Sequence, residues 1–211
     1  MAQVSRWLVV ALVIAGLSSR ADAGFLKLFG EVHGGAMGGA GLSGDAVDQD
    51  KDFFGQAPHG AYGLRVGARL FILDAIIEHH QLTNGSRIST WTQFATGIGF
   101  EADLGDAKAR KAKTGGFLEA GINVAFGLGT GQQVDPPLSN DEISDKAFLV
   151  EGRFGFGKHI NKLFDFGLVV PASWGYFIKN DFATGANDLS NHYRSFQIAG
   201  LGYFRMNLRL L

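Results

Sequence analysis

The carboxy-terminal segment alternates apolar and polar residues along its whole length, and this two-residue period constrains the fold more than any other feature. Within Tyr193–Leu210, one set of positions holds Phe204, Met206, Leu208 and Leu210, and the intervening set holds Tyr203, Arg205, Asn207 and Arg209. Successive side chains of a β-strand point to opposite faces of the sheet. The segment is therefore predicted to be a strand with one apolar and one polar face.

Seven further segments have the same alternation, which gives eight predicted strands. They are Phe25–Ala36, Tyr62–Ile72, Asp74–Leu82, Ile88–Leu104, Phe117–Leu128, Phe148–Phe156 and Phe164–Tyr176. The sequence leaves the phase of Asp74–Leu82 open, because Glu78, His79 and His80 are consecutive and either phase turns one of them outward. We interpret the two histidines as the end of a strand, since adjacent strand residues cannot bind one metal ion. Pro171 lacks an N–H group and predicts a β-bulge.

The connections between these strands alternate in length. The short ones are Leu73–Asp74, Gly105–Gly116 and His159–Leu163, and the others are Met37–Gly60, Thr83–Arg87, Gly129–Lys146 and Phe177–His192. This alternation predicts an all-β fold, an eight-stranded antiparallel up-and-down transmembrane β-barrel. A secreted β-sandwich also alternates apolar and polar residues and is the alternative.

The amino terminus has the three parts of a secretory signal. Arg6 precedes the apolar run Trp7–Leu17, and Ala21–Ala23 provides a small-residue cleavage site. The apolar run has 11 residues, too few for a membrane-spanning helix. We therefore expect a cleaved signal peptide over residues 1–23 and a barrel domain over residues 24–211.

Composition excludes several classes of function. Removing the signal takes away two of the 19 basic and one of the 20 acidic residues, and the nearly neutral remainder does not predict nucleic-acid binding. There is no cysteine, which excludes disulfides and a thiolate nucleophile. The acidic run Gly44–Asp52 resembles a calcium loop, but Phe53 and His59 stand where such a loop needs glycine and glutamate. We predict no cofactor and no metal site.

The eight alternating segments, with a carboxy-terminal strand of this kind, resemble the small outer-membrane barrels of the OmpA/OmpX type. The resemblance implies export to the cell outer membrane, with short turns in the periplasm and long connections outside. It also implies contact with outer-membrane lipid, with lipopolysaccharide and with the outer-membrane assembly machinery. An extracellular ligand would bind through residues 37–60, 129–146 and 177–192.

The predicted polar faces would place twelve charged side chains inside the barrel. The basic members are Lys27, Arg65, Arg69, Arg153, Arg205 and Arg209, and the acidic members are Glu31, Glu101, Asp103, Glu119, Glu151 and Asp165. An eight-stranded barrel is just wide enough for side chains to fill it. We interpret the set as a salt-bridged plug; the alternative is a polar pathway for small solutes or ions.

Enzyme chemistry is the third hypothesis. His192, Ser195 and nearby Asp188 form the one local cluster that could support a serine hydrolase. It lacks the His-x-Ser-Asn arrangement of lipid A deacylases, since the serine comes one residue late. The sequence therefore favours a non-enzymatic surface protein that is structural or presents loops, with a narrow channel or a lipid-modifying enzyme as alternatives.

Overall fold

The computed structural model describes residues 26–44, 59–83, 87–133, 143–180 and 192–210. In this part of the chain, eight strands form one closed barrel in sequence order. The strands are β1 (Leu26–Gly44), β2 (His59–Leu70), β3 (Leu73–Thr83), β4 (Arg87–Asp103), β5 (Gly116–Gln133), β6 (Ile143–His159), β7 (Phe164–Asn180) and β8 (His192–Leu210), and a short helix, α1 (Ala107–Ala112), lies between β4 and β5. Each strand pairs antiparallel with the next. The predicted up-and-down barrel is confirmed.

The barrel closes where β1 pairs with β8. This ladder runs from Leu26 opposite Leu210 to Gly44 opposite Tyr193, with one register shift between Gly41 and Ser43. Closure gives the backbone N–H and C=O groups of both terminal strands a neighbour, so the sheet has no free edge. A sheet without an edge satisfies its backbone in lipid, where water cannot do so.

The outer face of the barrel is apolar along every strand. Ile122 is 66% exposed, Val32 is 52% exposed and Leu168 is 50% exposed, while Phe148, Phe154 and Phe166 project from the same surface. A soluble monomer rarely exposes such a large continuous apolar surface. This belt around a closed sheet is the surface of a transmembrane barrel, and it excludes the sandwich. The described residues contain no helix that is long and apolar enough to cross a bilayer.

Several strands are longer than the alternation predicts. Strand β1 continues to Gly44 and β2 begins at His59, so the predicted connection Met37–Gly60 was too long. Likewise β5 ends at Gln133 and β6 begins at Ile143, and β7 ends at Asn180. The glycine-rich ends of β1 and β5 stay paired with their neighbours although they lack apolar alternation. Residues 45–58, 134–142 and 181–191 lie outside the described residues, as does the predicted signal peptide.

The first short turn differs from the prediction. It comprises Phe71 and Ile72, not Leu73–Asp74, and Phe71 has a left-handed φ of 55°. Asp74 lies in β3, opposite Arg69 of β2. The Arg69 guanidinium donates to both Asp74 oxygens, Nε to Oδ1 at 2.6 Å and Nη2 to Oδ2 at 2.8 Å. The backbone register therefore places Asp74 in the ladder rather than in the turn, and the bidentate pair joins the two opposite side chains.

Pro171 does not cause a bulge, so that prediction was wrong. Val169 faces Leu201 and Ala172 faces Ile198, which is the same register on both sides of the proline. Because proline has no N–H, pairing with β8 is interrupted at residues 170–171 without any shift. On its other side, Pro171 remains opposite Arg153 of β6.

The structure resolves the phase of β3. Asp74, Ile76, Glu78, His80 and Leu82 face inward and are buried, whereas His79 faces outward. His79 Nδ1 lies 2.8 Å from the Thr92 hydroxyl on the outer surface. The two histidines therefore do face opposite ways, but His80 does not mark a strand end: it packs inside the barrel.

Candidate functional site

The lumen is the candidate site, and it is filled by two kinds of packing. At the end of the long connections lies an apolar layer, which we define as Leu82, Trp91, Leu149, Phe177 and Tyr193. The middle of the lumen and the end of the short turns hold an ionic network, which we define as the twelve predicted charges together with Asp74, Glu78 and Lys113. The apolar layer comes from β3, β4, β6, β7 and β8, whereas the ionic network comes from all eight strands and from Lys113 after α1.

The apolar layer is completely shielded from solvent. Leu82 and Phe177 are 0% exposed, and Trp91 is 2% exposed. The ring centroids of Phe177 and Tyr193 are 4.9 Å apart in a stacked arrangement, and those of Trp91 and Phe177 are 5.8 Å apart. The polar atoms of these aromatic residues are also paired: Trp91 Nε1 donates to Gln93 Oε1 at 3.1 Å, and the Tyr193 hydroxyl donates to Asp145 at 2.6 Å. This layer closes the lumen beneath the long connections.

Glycines make room for the large inward side chains. A Cβ atom at Gly127 would collide with the Trp91 ring, and one at Gly67 would lie 2.5 Å from the Phe29 ring. By contrast, a Cβ at Gly200 would have no heavy atom within 4 Å. The abundance of glycine thus has a packing cause at the first two positions, because interiors tolerate little extra volume.

Arg205 is the centre of the ionic network. Its Nη1 and Nη2 donate to the two oxygens of Glu119 at 2.7 and 3.0 Å, and its Nε donates to Glu31 at 2.9 Å. Its guanidinium carbon also lies 4.5 Å from the centroid of the Tyr203 ring. Arg65 lies 3.7 Å from Glu31 on the other side. These contacts compensate part of the cost of burying the charges.

A second cluster surrounds Arg153. Its Nη2 donates to both oxygens of Glu78 at 2.9 and 3.0 Å, and its Nε lies 3.4 Å from Glu151. Gln93 bridges the same two carboxylates through its amide nitrogen, at 3.0 Å from Glu78 and 3.2 Å from Glu151. Gln93 also accepts from Trp91 and therefore joins this cluster to the apolar layer.

The end of the short turns is closed by a third group of charges. Lys27 and Arg209 both pair with Glu101, with Arg209 Nη2 at 3.0 Å. Lys113 follows α1 in a left-handed conformation, and its side chain turns inward to pair with Asp103. Within the basic turn that contains α1, Lys113 is thus buried, whereas Lys108, Arg110 and Lys111 are exposed.

His159 completes this group. Its Nδ1 lies 2.5 Å from Asp165 and its Nε2 lies 2.9 Å from Asp103, so each ring nitrogen faces a carboxylate. Asn207 donates to the other oxygen of Asp165 at 2.6 Å. The ring also stacks on Phe117 with centroids 4.4 Å apart.

The structure places eleven of the twelve predicted charges in contact with an opposite charge, in pairs that the sequence did not predict, while Asp165 contacts His159 and Asn207. Arg69 pairs with Asp74, and Arg153 pairs with Glu78 as well as with Glu151. Sequence reasoning missed Asp74, Glu78, Lys113 and the inward histidines. The register of the β2–β3 hairpin was the available signal, because a two-residue turn at 71–72 places Arg65 opposite Glu78 and Arg69 opposite Asp74.

The described part of the lumen contains small cavities. One of about 20 Å³ lies among Met37, Glu78, His80, Trp91 and Gln93, and one of about 10 Å³ lies among Arg65, Arg69 and Asp74. Each has room for about one water molecule. Cavities of this size do not make a pathway for a solute.

The hydrolase cluster is not assembled. Ser195 faces inward, and its hydroxyl donates to the Ala40 carbonyl at 3.2 Å. His192 stacks on outward-facing Tyr176, with ring centroids 5.3 Å apart, so it lies on the opposite face of β8 from Ser195. Asp188 lies outside the described residues. The serine therefore has no base at His192.

Comparisons with known proteins find similarity at the level of three-dimensional structure. No protein-family model matches the sequence. No curated protein matches it either. Among solved structures, Neisserial surface protein A is 9% identical, with 86% of this chain and 96% of that chain covered and a TM-score of 0.47. The outer-membrane protein OprG from Pseudomonas aeruginosa is 11% identical, with 89% and 97% covered and a TM-score of 0.45. Ail, the attachment invasion locus protein of Yersinia pestis, is 12% identical, with 86% and 99% covered and a TM-score of 0.34.

Proposed function

We propose that this protein is a non-enzymatic integral outer-membrane barrel that does not conduct solutes and presents its long connections at the cell surface. The observation that carries the proposal is the closure of the lumen by the apolar layer, where Phe177 is 0% exposed and Trp91 is 2% exposed. A barrel filled in this way is a rigid support. Binding residues occur most often on loops that a rigid scaffold positions.

The ionic network also argues against transport. A channel needs charges that meet the permeating ion, with binding weak enough for the ion to leave. Here Arg205 is held by Glu119 and Glu31, and Arg153 is held by Glu78 and Glu151. Charges that are held by fixed partners in a filled lumen do not form the weak, successive sites that a permeating ion needs.

The outer face and the connections define the expected partners. The exposed apolar belt fits outer-membrane lipid, with lipopolysaccharide in the outer leaflet, and insertion there requires the outer-membrane assembly machinery. Residues 37–60, 129–146 and 177–192 contain the long connections, which we place outside the cell with any ligand they bind. Export would depend on the cleaved signal over residues 1–23.

Surface labelling on intact cells tests this proposal. A short protease-accessible tag inserted within residues 134–142 should be labelled without cell lysis, because the proposal puts this connection outside. The matched control is the same tag within 107–112, which forms α1 in the opposite turn and should be labelled only after the outer membrane is opened. The opposite pattern would show that the orientation is inverted.

The labelling result is informative only if the tagged variants are folded. An unboiled sample of each tagged variant should migrate differently from a boiled sample in detergent electrophoresis, as expected for a barrel that stays folded until heated. A folded protein that is labelled at neither position in intact cells would contradict surface presentation.

A further inference from the structure

Two buried histidines meet inside the barrel across an intervening strand. His33 of β1 and His80 of β3 both lie opposite Gly63 of β2. Gly63 has no side chain, and the two rings approach across it with centroids 4.7 Å apart. A Cβ at Gly63 would collide with the His79 carbonyl group and would also lie 3.0 Å from His33 Nε2. His33 is 6% exposed and His80 is 3% exposed. The glycine thus creates the space in which the rings meet.

The ring nitrogens are arranged as in a chelating pair. His33 Nε2 and His80 Nδ1 face each other at 3.1 Å. Two Zn–N bonds of about 2.0 to 2.1 Å at a tetrahedral angle separate their nitrogens by about 3.4 Å. A separation larger by a few tenths of an ångström, with the two rings turned so that their lone pairs converge, gives the bite of a two-histidine site.

The other nitrogen of each ring faces a carboxylate. His33 Nδ1 lies 3.6 Å from Glu31 Oε1, and His80 Nε2 lies 3.3 Å from Glu78 Oε1. A histidine that binds a metal commonly donates its second N–H group to a carboxylate, which fixes the ring and its tautomer. When both outer nitrogens carry the proton, both inner nitrogens have a lone pair free to bind one metal ion between them.

The surrounding charges do not oppose a cation between the two rings. The clusters around Arg205 and Arg153 contain the carboxylates of Glu31, Glu78, Glu119 and Glu151 but the guanidinium groups of Arg65, Arg153 and Arg205. Four carboxylates thus lie among three guanidinium groups, so the two histidines are not surrounded by an excess of positive charge that would repel a metal ion.

We propose that His33 and His80 bind one late first-row divalent metal ion, such as Zn²⁺, through Nε2 and Nδ1. Imidazole nitrogen suits zinc, copper and nickel. In the proposed site, Glu78 orients the His80 ring, and Glu31, now 3.6 Å from His33 Nδ1, moves into hydrogen-bond distance of the His33 ring. The neighbouring cavity, which His80 and Glu78 line, has room for a water molecule as a further ligand. The proposal departs from the expectation of no metal site, which rested on the acidic run Gly44–Asp52 and on the adjacent pair His79 and His80.

A second group of potential ligands at the short-turn end is less suited to a metal. It consists of Glu101, Asp103 and His159. Both nitrogens of His159 already face carboxylates at 2.5 and 2.9 Å, and Glu101 and Asp103 are paired with Lys27, Arg209 and Lys113. A metal here would have to displace several charge pairs.

The test is Zn²⁺ binding to the folded, untagged full barrel in detergent micelles, measured by equilibrium dialysis. The expected result is saturable binding of about one Zn²⁺ per chain. His33→Ala and His80→Ala should each weaken binding at least tenfold, and Glu31→Gln should weaken it roughly tenfold through the orientation of His33. Electron paramagnetic resonance of the Cu²⁺-loaded protein should show coupling to two nitrogen nuclei.

His79→Ala is the matched control, because His79 adjoins His80 but faces the outer surface. It should bind Zn²⁺ like the unmodified protein. Only variants that keep the mobility shift on heating are compared, so a loss of binding cannot reflect a loss of folding. Zn²⁺ binding that survives in the folded double variant of His33 and His80, or no stoichiometric binding by the unmodified barrel, would overturn the assignment.

Discussion

The apolar layer and the ionic network fill the same lumen by different physics. In the apolar layer, Trp91 occupies space that Gly127 leaves open, so the fit depends on volume. In the ionic network, Arg153 is placed by Glu78 and Glu151, so the fit depends on the presence of a partner. The comparison teaches which changes lower the free energy of unfolding. In the apolar layer it should be the loss of packing contacts, and in the ionic network it should be a buried charge left without its partner.

The largest effect is expected at Arg153. Arg153→Ala leaves the carboxylates of Glu78 and Glu151 buried without their guanidinium partner. We expect a loss of about 3 to 5 kcal/mol in the free energy of unfolding, the typical cost of breaking a buried ion pair from one side. The measurement is equilibrium urea unfolding of the barrel in lipid vesicles.

Removing the stranded charge should then restore stability. Glu78→Gln in the Arg153→Ala background is expected to recover part of the loss, with a coupling of roughly 0.5 to 3 kcal/mol in the double-mutant cycle. Outward-facing Arg194→Ala is the control and should change stability little, since this side chain is exposed. Simple additivity of the two substitutions at Arg153 and Glu78 would show that charge pairing does not hold this region together.

A smaller effect is expected in the apolar layer. Trp91→Ala should lower the free energy of unfolding by about 3 kcal/mol, because it leaves a cavity beside Phe177. No partner charge is stranded, so Glu78→Gln should not rescue it. The matched control is Trp174→Ala on the outer face, where Trp174 is 46% exposed. An equal loss for both tryptophans would contradict the special role of the layer.

The smallest effect tests volume alone. Gly127→Ala adds one methyl group against the Trp91 ring and should cost roughly 1 to 3 kcal/mol through overpacking. Gly200→Ala adds the same group where nothing lies within 4 Å and should be nearly neutral. The same unfolding measurement checks both, and equal costs would indicate that the loss of glycine itself, rather than the collision, is responsible.

The fold could be predicted from the sequence because a period of two assigns every strand residue to one face. Tyr193–Leu210 shows this, since Phe204 and Met206 are exposed to lipid while Arg205 and Asn207 are buried, as predicted. The ends of the strands were less predictable where the alternation stops. The glycine-rich end of β1, for example, pairs with β8 as far as Gly44, beyond the predicted end at Ala36. Pairing there depends on the neighbouring strand, which local sequence does not reveal.

The candidate site was predicted in composition but not in geometry. Alternation shows that Arg153 points inward, but not that Glu78 on a strand of uncertain phase would meet it. His33 and His80 are separated by 47 residues and meet because Gly63 lies between them. Such contacts arise from the register of three strands together, and they require the three-dimensional structure.

The most direct test of the central claim is a planar-bilayer recording of the purified, unmodified protein. The account predicts no steady current steps, because the apolar layer closes one end of the lumen and paired charges fill the rest. Heat-dependent mobility must first show that the sample is folded. Steady, charge-selective currents from folded protein would contradict the closed lumen and establish the channel alternative.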